Sequence, residues 1–153
     1  MDIKKIRFDR TRCMACAACA VACMNEKNTD IEKGERALRQ VYTEEICREG
    51  KVRFRFHSDS CLHCRPQLCV GACERGCLYR DPGSGLVLYD TGACDGCGLC
   101  IRACPMQAIS LDKNGKIQKC DGCVVRQRRG QLPACVQVCP TGALGLETGH
   151  GSP

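Results

Sequence analysis

The sequence predicts an α+β fold of short strands, short helices and long cysteine-bearing loops. Three observations carry that expectation: cysteines recur in four spaced groups, brief polar-apolar alternations separate the groups, and large side chains are too few for an ordinary core. Eighteen of the 153 residues are cysteine, whereas the chain has no Trp, three Phe and three Tyr. A cysteine share above about 8 per cent marks a disulfide scaffold or a metal-rich protein.

The elements follow in chain order. Cys13, Cys16, Cys19 and Cys23 are spaced C-x2-C-x2-C-x3-C, with little but alanine between them. Part of Arg36 to Thr43, and then Lys51 to Phe56, alternate polar and apolar residues as half-buried strands do. Cys61, Cys64, Cys69 and Cys73 follow C-x2-C-x4-C-x3-C. The turn Asp81-Pro-Gly-Ser-Gly85 leads into a strand candidate at Leu86 to Tyr89. Cys94, Cys97, Cys100 and Cys104 repeat the first spacing and add Pro105. Ile109 to Leu111, the pair Asn114-Gly115 and Ile117 signal a hairpin. Cys120 and Cys123, an insert of eleven residues, then Cys135, Cys139 and Pro140 form the last group, and Ala143 to Leu146 offers a final strand.

The spacing has a physical reading. Three thiolates two residues apart on a tight loop reach three irons of one cubane, while the backbone N–H groups of the loop point at its sulfides. Alanine and glycine between them let the backbone approach. The fourth cysteine starts or continues a short helix and leads away from that cluster. Zinc is the competing metal, but a zinc site closes on four ligands, usually two spaced pairs, and does not ask for a third cysteine two residues after the second. A zinc-binding interaction module is therefore the alternative from a different class.

Compartment bears on the disulfide alternative. Met1 to Arg12 contain no apolar stretch of about 7 to 15 residues, so no secretory signal is expected. No run approaches the roughly 20 apolar residues of a membrane span. A cytoplasmic protein without a direct membrane span is expected, and in that reducing compartment metal is the use for the thiols. The formal net charge of +6 suggests nucleic acid. Each four-thiolate cubane, however, carries about −2 oxidised and about −3 reduced. Four of them bring the chain to about −2 or about −6, so no nucleic-acid partner is expected.

On these motifs the chain resembles the four-cluster ferredoxin-type electron-transfer subunits of the dimethyl sulfoxide reductase iron-sulfur subunit family, from about Ile3 to Leu146. The most specific stretch is Lys119-Cys-Asp-Gly-Cys123, then Pro133-Ala-Cys135-Val and Cys139-Pro-Thr-Gly-Ala143. The resemblance implies four [4Fe-4S] clusters with nested pairing. One cluster takes Cys13, Cys16, Cys19 and Cys139; its neighbour takes Cys120, Cys123, Cys135 and Cys23. The inner pair takes Cys61, Cys64, Cys69 and Cys104, and Cys94, Cys97, Cys100 and Cys73. Linker lengths agree, with 20 residues between the second and third groups and 37 between the first and second. The implied architecture is two nested bacterial-ferredoxin-like two-cluster modules, an outer one of 1–50 plus 113–153 and an inner one of 51–112. Cys77 departs from the family pattern, standing where Ala143 stands after the last group. It reads as a buried non-ligand, and Cys47 also reads as a non-ligand.

A fully ligated cubane offers no open iron to a substrate, so the expected role is non-catalytic electron transfer. For this length the radius of gyration is about 15 Å, close enough for successive hops. The resemblance implies a catalytic oxidoreductase partner, a molybdenum or tungsten pterin enzyme such as an aldehyde oxidoreductase, and a second redox subunit such as a flavoprotein. A hydrogenase or carbon monoxide dehydrogenase is the alternative partner. Head-to-tail self-association is also open to such a chain. Arg126 to Arg129 reads as a basic loop, solvated or docked on an acidic partner, and nothing catalytic is expected of His57, His63 or His150, with His63 read as an exposed ring ahead of one that tunes a cluster by hydrogen bonding.

Overall fold

The structure, a computed structural model, describes residues 3–147. Its longest regular feature is a hairpin of β2 (Gln40–Arg48) and β3 (Lys51–Asp59), paired antiparallel along its whole length. Glu49 and Gly50 both have positive φ, 50° and 72°. That is the twist a two-residue hairpin turn needs to match its strands.

All other strands are three residues long, and they too pair antiparallel in twos. β1 (Ile6–Phe8) pairs with β8 (Leu144–Leu146), joining the two ends of the described chain. β4 (Leu78–Arg80) pairs with β5 (Val87–Tyr89), and β6 (Ile109–Leu111) with β7 (Ile117–Lys119). The expected strands at 51–56, 86–89, 109–117 and 143–146 are present with shifted ends, while β1 and β4 add to them. β2 begins at Gln40 rather than near Arg36, because residues 35 and 36 are drawn to the β6–β7 hairpin. The Glu35 carboxylate accepts from Lys113 N at 2.6 Å, and Arg36 Nη2 donates to Ile109 O at 3.0 Å.

Short helices carry the cysteines. α1 (Ala18–Glu26) holds Cys19 and Cys23, α2 (Leu68–Gly71) holds Cys69, and α3 (Leu99–Arg102) holds Cys100. α4 (Val124–Arg128) opens the insert of the last group, and α5 (Ala134–Gln137) begins at its last residue and carries Cys135. Cys73, Cys104 and Cys139 fall two residues past the ends of α2, α3 and α5.

Sulfur takes a large part of the core. Leu78, Val87, Ile109 and Ile117 pack with Cys77, Cys94 and Cys100. Cys19, Cys135 and Leu144 pack with Ile6, Phe8 and Val41. Leu86, Leu88 and Val124, with Ile3 against them, join the central segment to the two ends. Strand pairing crosses both expected module limits: β3 belongs with β2 across residue 50, and β7 with β6 across residue 112.

Candidate metal centres

The cysteine loops share one backbone device. Ala15, His63, Gly96 and Gly122, each directly before the second cysteine of its group, have φ of 53°, 50°, 74° and 70°. The left-handed residue turns the chain back, and its N–H reaches the preceding sulfur in three cases. Ala15 N donates to Cys13 Sγ at 3.5 Å, His63 N to Cys61 Sγ at 3.5 Å and Gly122 N to Cys120 Sγ at 3.4 Å. Cys94 Sγ instead accepts from Ile117 N at 3.4 Å. Two of the cysteines that close a group accept in the same way, Cys73 from Cys77 N at 3.2 Å and Cys104 from Ala108 N at 3.4 Å. Backbone donors aimed at sulfur favour the thiolate over the thiol.

The folded chain gathers the sulfurs into four quartets. Cys13, Cys16, Cys19 and Cys139 line one cavity, quartet A. Cys61, Cys64, Cys69 and Cys104 line another, quartet C. Cys73, Cys94, Cys97 and Cys100 line a third, quartet D, with Cys77 beside them. Cys23, Cys120, Cys123 and Cys135, quartet B, are all buried. Burial and the nearby charges of Cys120, Cys135 and Cys123 push the Cys23 thiol up to about 12. Similar proximity marks the others: burial and then Cys73 raise Cys100, and burial and then Cys61 raise Cys69. Each quartet combines three cysteines of one group with the last cysteine of another, which in B is the helical Cys23.

The quartets form a series. α1 packs against α5, setting A beside B. Cys61 of C feels the charge of Cys120 of B. α2 packs against α3, and each helix carries a cysteine of one inner quartet and precedes a cysteine of the other. The order is therefore A, B, C, D. Cys16 in A and Cys97 in D are exposed, so the series meets solvent at both ends.

Two observations test the donor set against an anionic iron-sulfur cubane. Quartets A, C and D line cavities, and among the described residues no three His, Cys, Asp or Glu side chains converge on the position of a single ion. Two cations, Arg39 (3% exposed) and Lys119 (0%), are buried beside the cysteines. Both features suit a large anionic group held by four thiolates, and the residues fit.

Cys47 is exposed on the β2–β3 hairpin, 3.8 Å from Glu45 and in none of the quartets. Cys77 is buried, and burial followed by the neighbouring Cys73 pushes its thiol up to about 11. His63 is not an exposed ring: it is 4% exposed and its Nδ1 accepts from Val87 N at 3.0 Å. Burial, then the Lys119 charge, lowers its pKa to about 3. His57 stacks on Tyr42 and meets Glu44 at 3.0 Å, and His150 lies outside the described residues. The segment Arg126 to Arg129 is not a loose loop. Arg126 is tied to Glu26 at 2.9 Å, Gln137 at 2.6 Å and Leu132 O at 2.8 Å, and Gln127 is buried. Sequence reasoning missed Arg39 and Lys119. For Lys119 a signal existed, since it stands directly before Cys120 at the head of the last cysteine group; for Arg39 there was none.

Residues 52–148 match the family described as 4Fe-4S dicluster domain. The chain is 40% identical to the thiosulfate reductase electron transfer subunit PhsB of Salmonella typhi, over 89% of this chain and 71% of that protein. It is 34% identical to the B subunit of the anaerobic dimethyl sulfoxide reductase of Haemophilus influenzae, over 90% of this chain and 70% of the relative. The iron-sulfur subunit of the nitrate-inducible formate dehydrogenase of Escherichia coli is 32% identical over 92% of this chain, which spans 53% of it.

Proposed function

This chain belongs to the 4Fe-4S dicluster domain family, and on that premise we propose that quartets A to D hold four [4Fe-4S] clusters and relay electrons between a catalytic oxidoreductase subunit and a second redox partner. The observation that carries the reading is the gathering of sixteen cysteines into four quartets, each drawn from two sequence groups. Each cubane, when bound, accepts and releases one electron. The chain's own part is to supply the thiolates, to aim N–H donors at them, and to hold the quartets in one series. The relatives are named as electron-transfer or iron-sulfur subunits, and the chain acts as an electron-transfer subunit, not as an enzyme.

The exposed Cys16 and Cys97 support partner contacts at the A and D ends. The relatives are named as subunits of thiosulfate reductase, dimethyl sulfoxide reductase and formate dehydrogenase. By extension, the catalytic partner is proposed to be a molybdenum or tungsten pterin oxidoreductase, with a flavoprotein or similar subunit at the other end. Among the described residues no helix is long and apolar enough to cross a membrane, and the thiol-rich chain is assigned to the cytoplasm. The two-module division, 1–50 plus 113–153 around 51–112, is part of the proposal, with the β2–β3 and β6–β7 pairs linking the modules across its limits.

Iron and sulfide analysis tests the assignment. The reading requires about 16 iron and a matching amount of sulfide per chain; a stoichiometry near 8, or zinc in place of iron, contradicts it. A catalytic partner should co-purify at fixed ratio, whereas an open series of copies of this chain would support head-to-tail association instead.

A further inference from the structure

The ligand assignment leaves two buried cations without a role. Lys119, at the end of β7, is fully enclosed. Its Nζ donates to Val87 O at 2.5 Å and Cys120 O at 2.7 Å and stands 5.9 Å from the centre of the Tyr89 ring. Val87, whose carbonyl it holds, lines the cavity of quartet C together with Cys61 and Cys69. Lys119 therefore adjoins quartet B through Cys120 and quartet C through Val87.

Arg39 sits in the corresponding place between A and B. It donates to Ser58 O at 2.9 Å, Ser58 Oγ at 3.1 Å and Ser60 Oγ at 2.7 Å. Ser58 Oγ in turn lies 3.4 Å from Cys19 Sγ. Cys19 of A packs in one buried cluster with Cys135 of B, so the Ser58 contact sets Arg39 beside both quartets.

Among the described residues neither cation makes an ion pair with a carboxylate. A buried charge is costly unless an opposite charge stands near it, and carbonyls and hydroxyls supply only partial charge. The anionic groups that adjoin each cation are the cysteine quartets. The converse cost falls on B: all four of its cysteines are buried, and burial disfavours adding negative charge. Without compensation, B would be the hardest of the four to reduce and would interrupt the series in its middle. It is also the quartet that both cations adjoin.

We infer that Lys119 and Arg39 are the buried counter-ions of successive clusters, Lys119 for B and C and Arg39 for A and B, and that each raises the reduction potentials of its own pair. A nearby positive charge stabilises the reduced, more negative form, and net charge and hydrogen bonding are among the levers that set such potentials. The two cations keep the enclosed cluster level with its neighbours. This inference rests on the ligand assignment proposed above.

The test is a redox titration of the iron-loaded full chain followed by EPR, with signals assigned through Cys16→Ser for A, Cys120→Ser for B, Cys64→Ser for C and Cys97→Ser for D. Lys119→Gln is expected to lower the potentials of B and C, cutting the reduced-to-oxidised ratio at a given applied potential at least tenfold, which is 59 mV for a one-electron couple. A and D should stay in place. Arg39→Gln should lower A and B and leave C and D. Lys119→Arg and Arg39→Lys should return most of each shift. Equal movement of all four clusters, no movement, or a shift that survives in the charge-keeping variants overturns the inference. If a neutral variant fails to load iron while its charge-keeping counterpart loads it, the counter-ion role stands; if both fail, the side chain acts through packing and the inference falls. Wild-type iron well below about 16 per chain would instead strike the ligand assignment, before any variant is compared.

Discussion

Cys139 lines the same cavity as Cys13, although nearly the whole described chain lies between them. The β1–β8 pair makes this possible by laying Ile6 against Leu146 and Phe8 against Leu144, so that both ends arrive together. An iron site assembled from both ends ties metal binding to the closure of the fold.

Iron removal should therefore unfold the protein. Metal sites assembled only in the folded chain couple binding to folding free energy, and here buried thiols and two buried cations lose their partners together. Chelation under reducing conditions is expected to abolish the cooperative thermal transition seen by circular dichroism. Coincident melting of the loaded and iron-free chains would contradict this.

Two cysteines should be dispensable to the metal. Cys47→Ser lies on an exposed strand and Cys77→Ala replaces a buried thiol beside quartet D. Both variants should retain about 16 iron per chain. A loss of about four iron in either would make that residue a ligand.

The loop before Cys97 tolerates no side chain. Gly96 has φ of 74°, and a Cβ there would stand 2.5 Å from the Gly115 backbone oxygen. Backbone cannot swing aside as a side-chain tip can, so Gly96→Ala should cost more than about 1 kcal/mol and loosen quartet D selectively. Denaturant unfolding and the EPR signal of that cluster report the two effects.

Glu35 is a tie between segments distant in sequence. One carboxylate oxygen accepts from Asp30 N and the other from Lys113 N, both at 2.6 Å. Glu35→Ala leaves two backbone donors without that partner and should destabilise the chain by about 1 to 3 kcal/mol. Because Glu35 touches no cysteine, iron content should be unchanged; a parallel loss of iron would show that the tie positions a cluster.

The cysteine groups could be read from sequence because ligand spacing is a local property. The same holds for the β6–β7 hairpin, where Asn114-Gly115 announces the turn, and for Val87–Tyr89 after its Gly-rich turn. β1 and β4 were not legible: three residues are too few to show a period of two, and each is a strand only because it pairs, β1 with β8 at the far end of the described chain and β4 with β5 across the turn that follows it. The burial of His63 depends on Val87, which reaches it from β5. The burial of Arg39 depends on Ser58 and Ser60, supplied by the far end of the long hairpin and the residue after it. Charge appeared in the sequence as a surplus to be offset by clusters, but its two buried members emerge only when the chain is folded around them.

The most direct test of the nested arrangement compares single cysteine variants by EPR of the reduced, iron-loaded chain. Cys139→Ser and Cys16→Ser should perturb the same cluster signal, and Cys120→Ser a different one. If Cys139→Ser instead reproduces the loss seen in Cys120→Ser and leaves the Cys16 cluster intact, quartet A is not a cluster site and the nested relay is wrong.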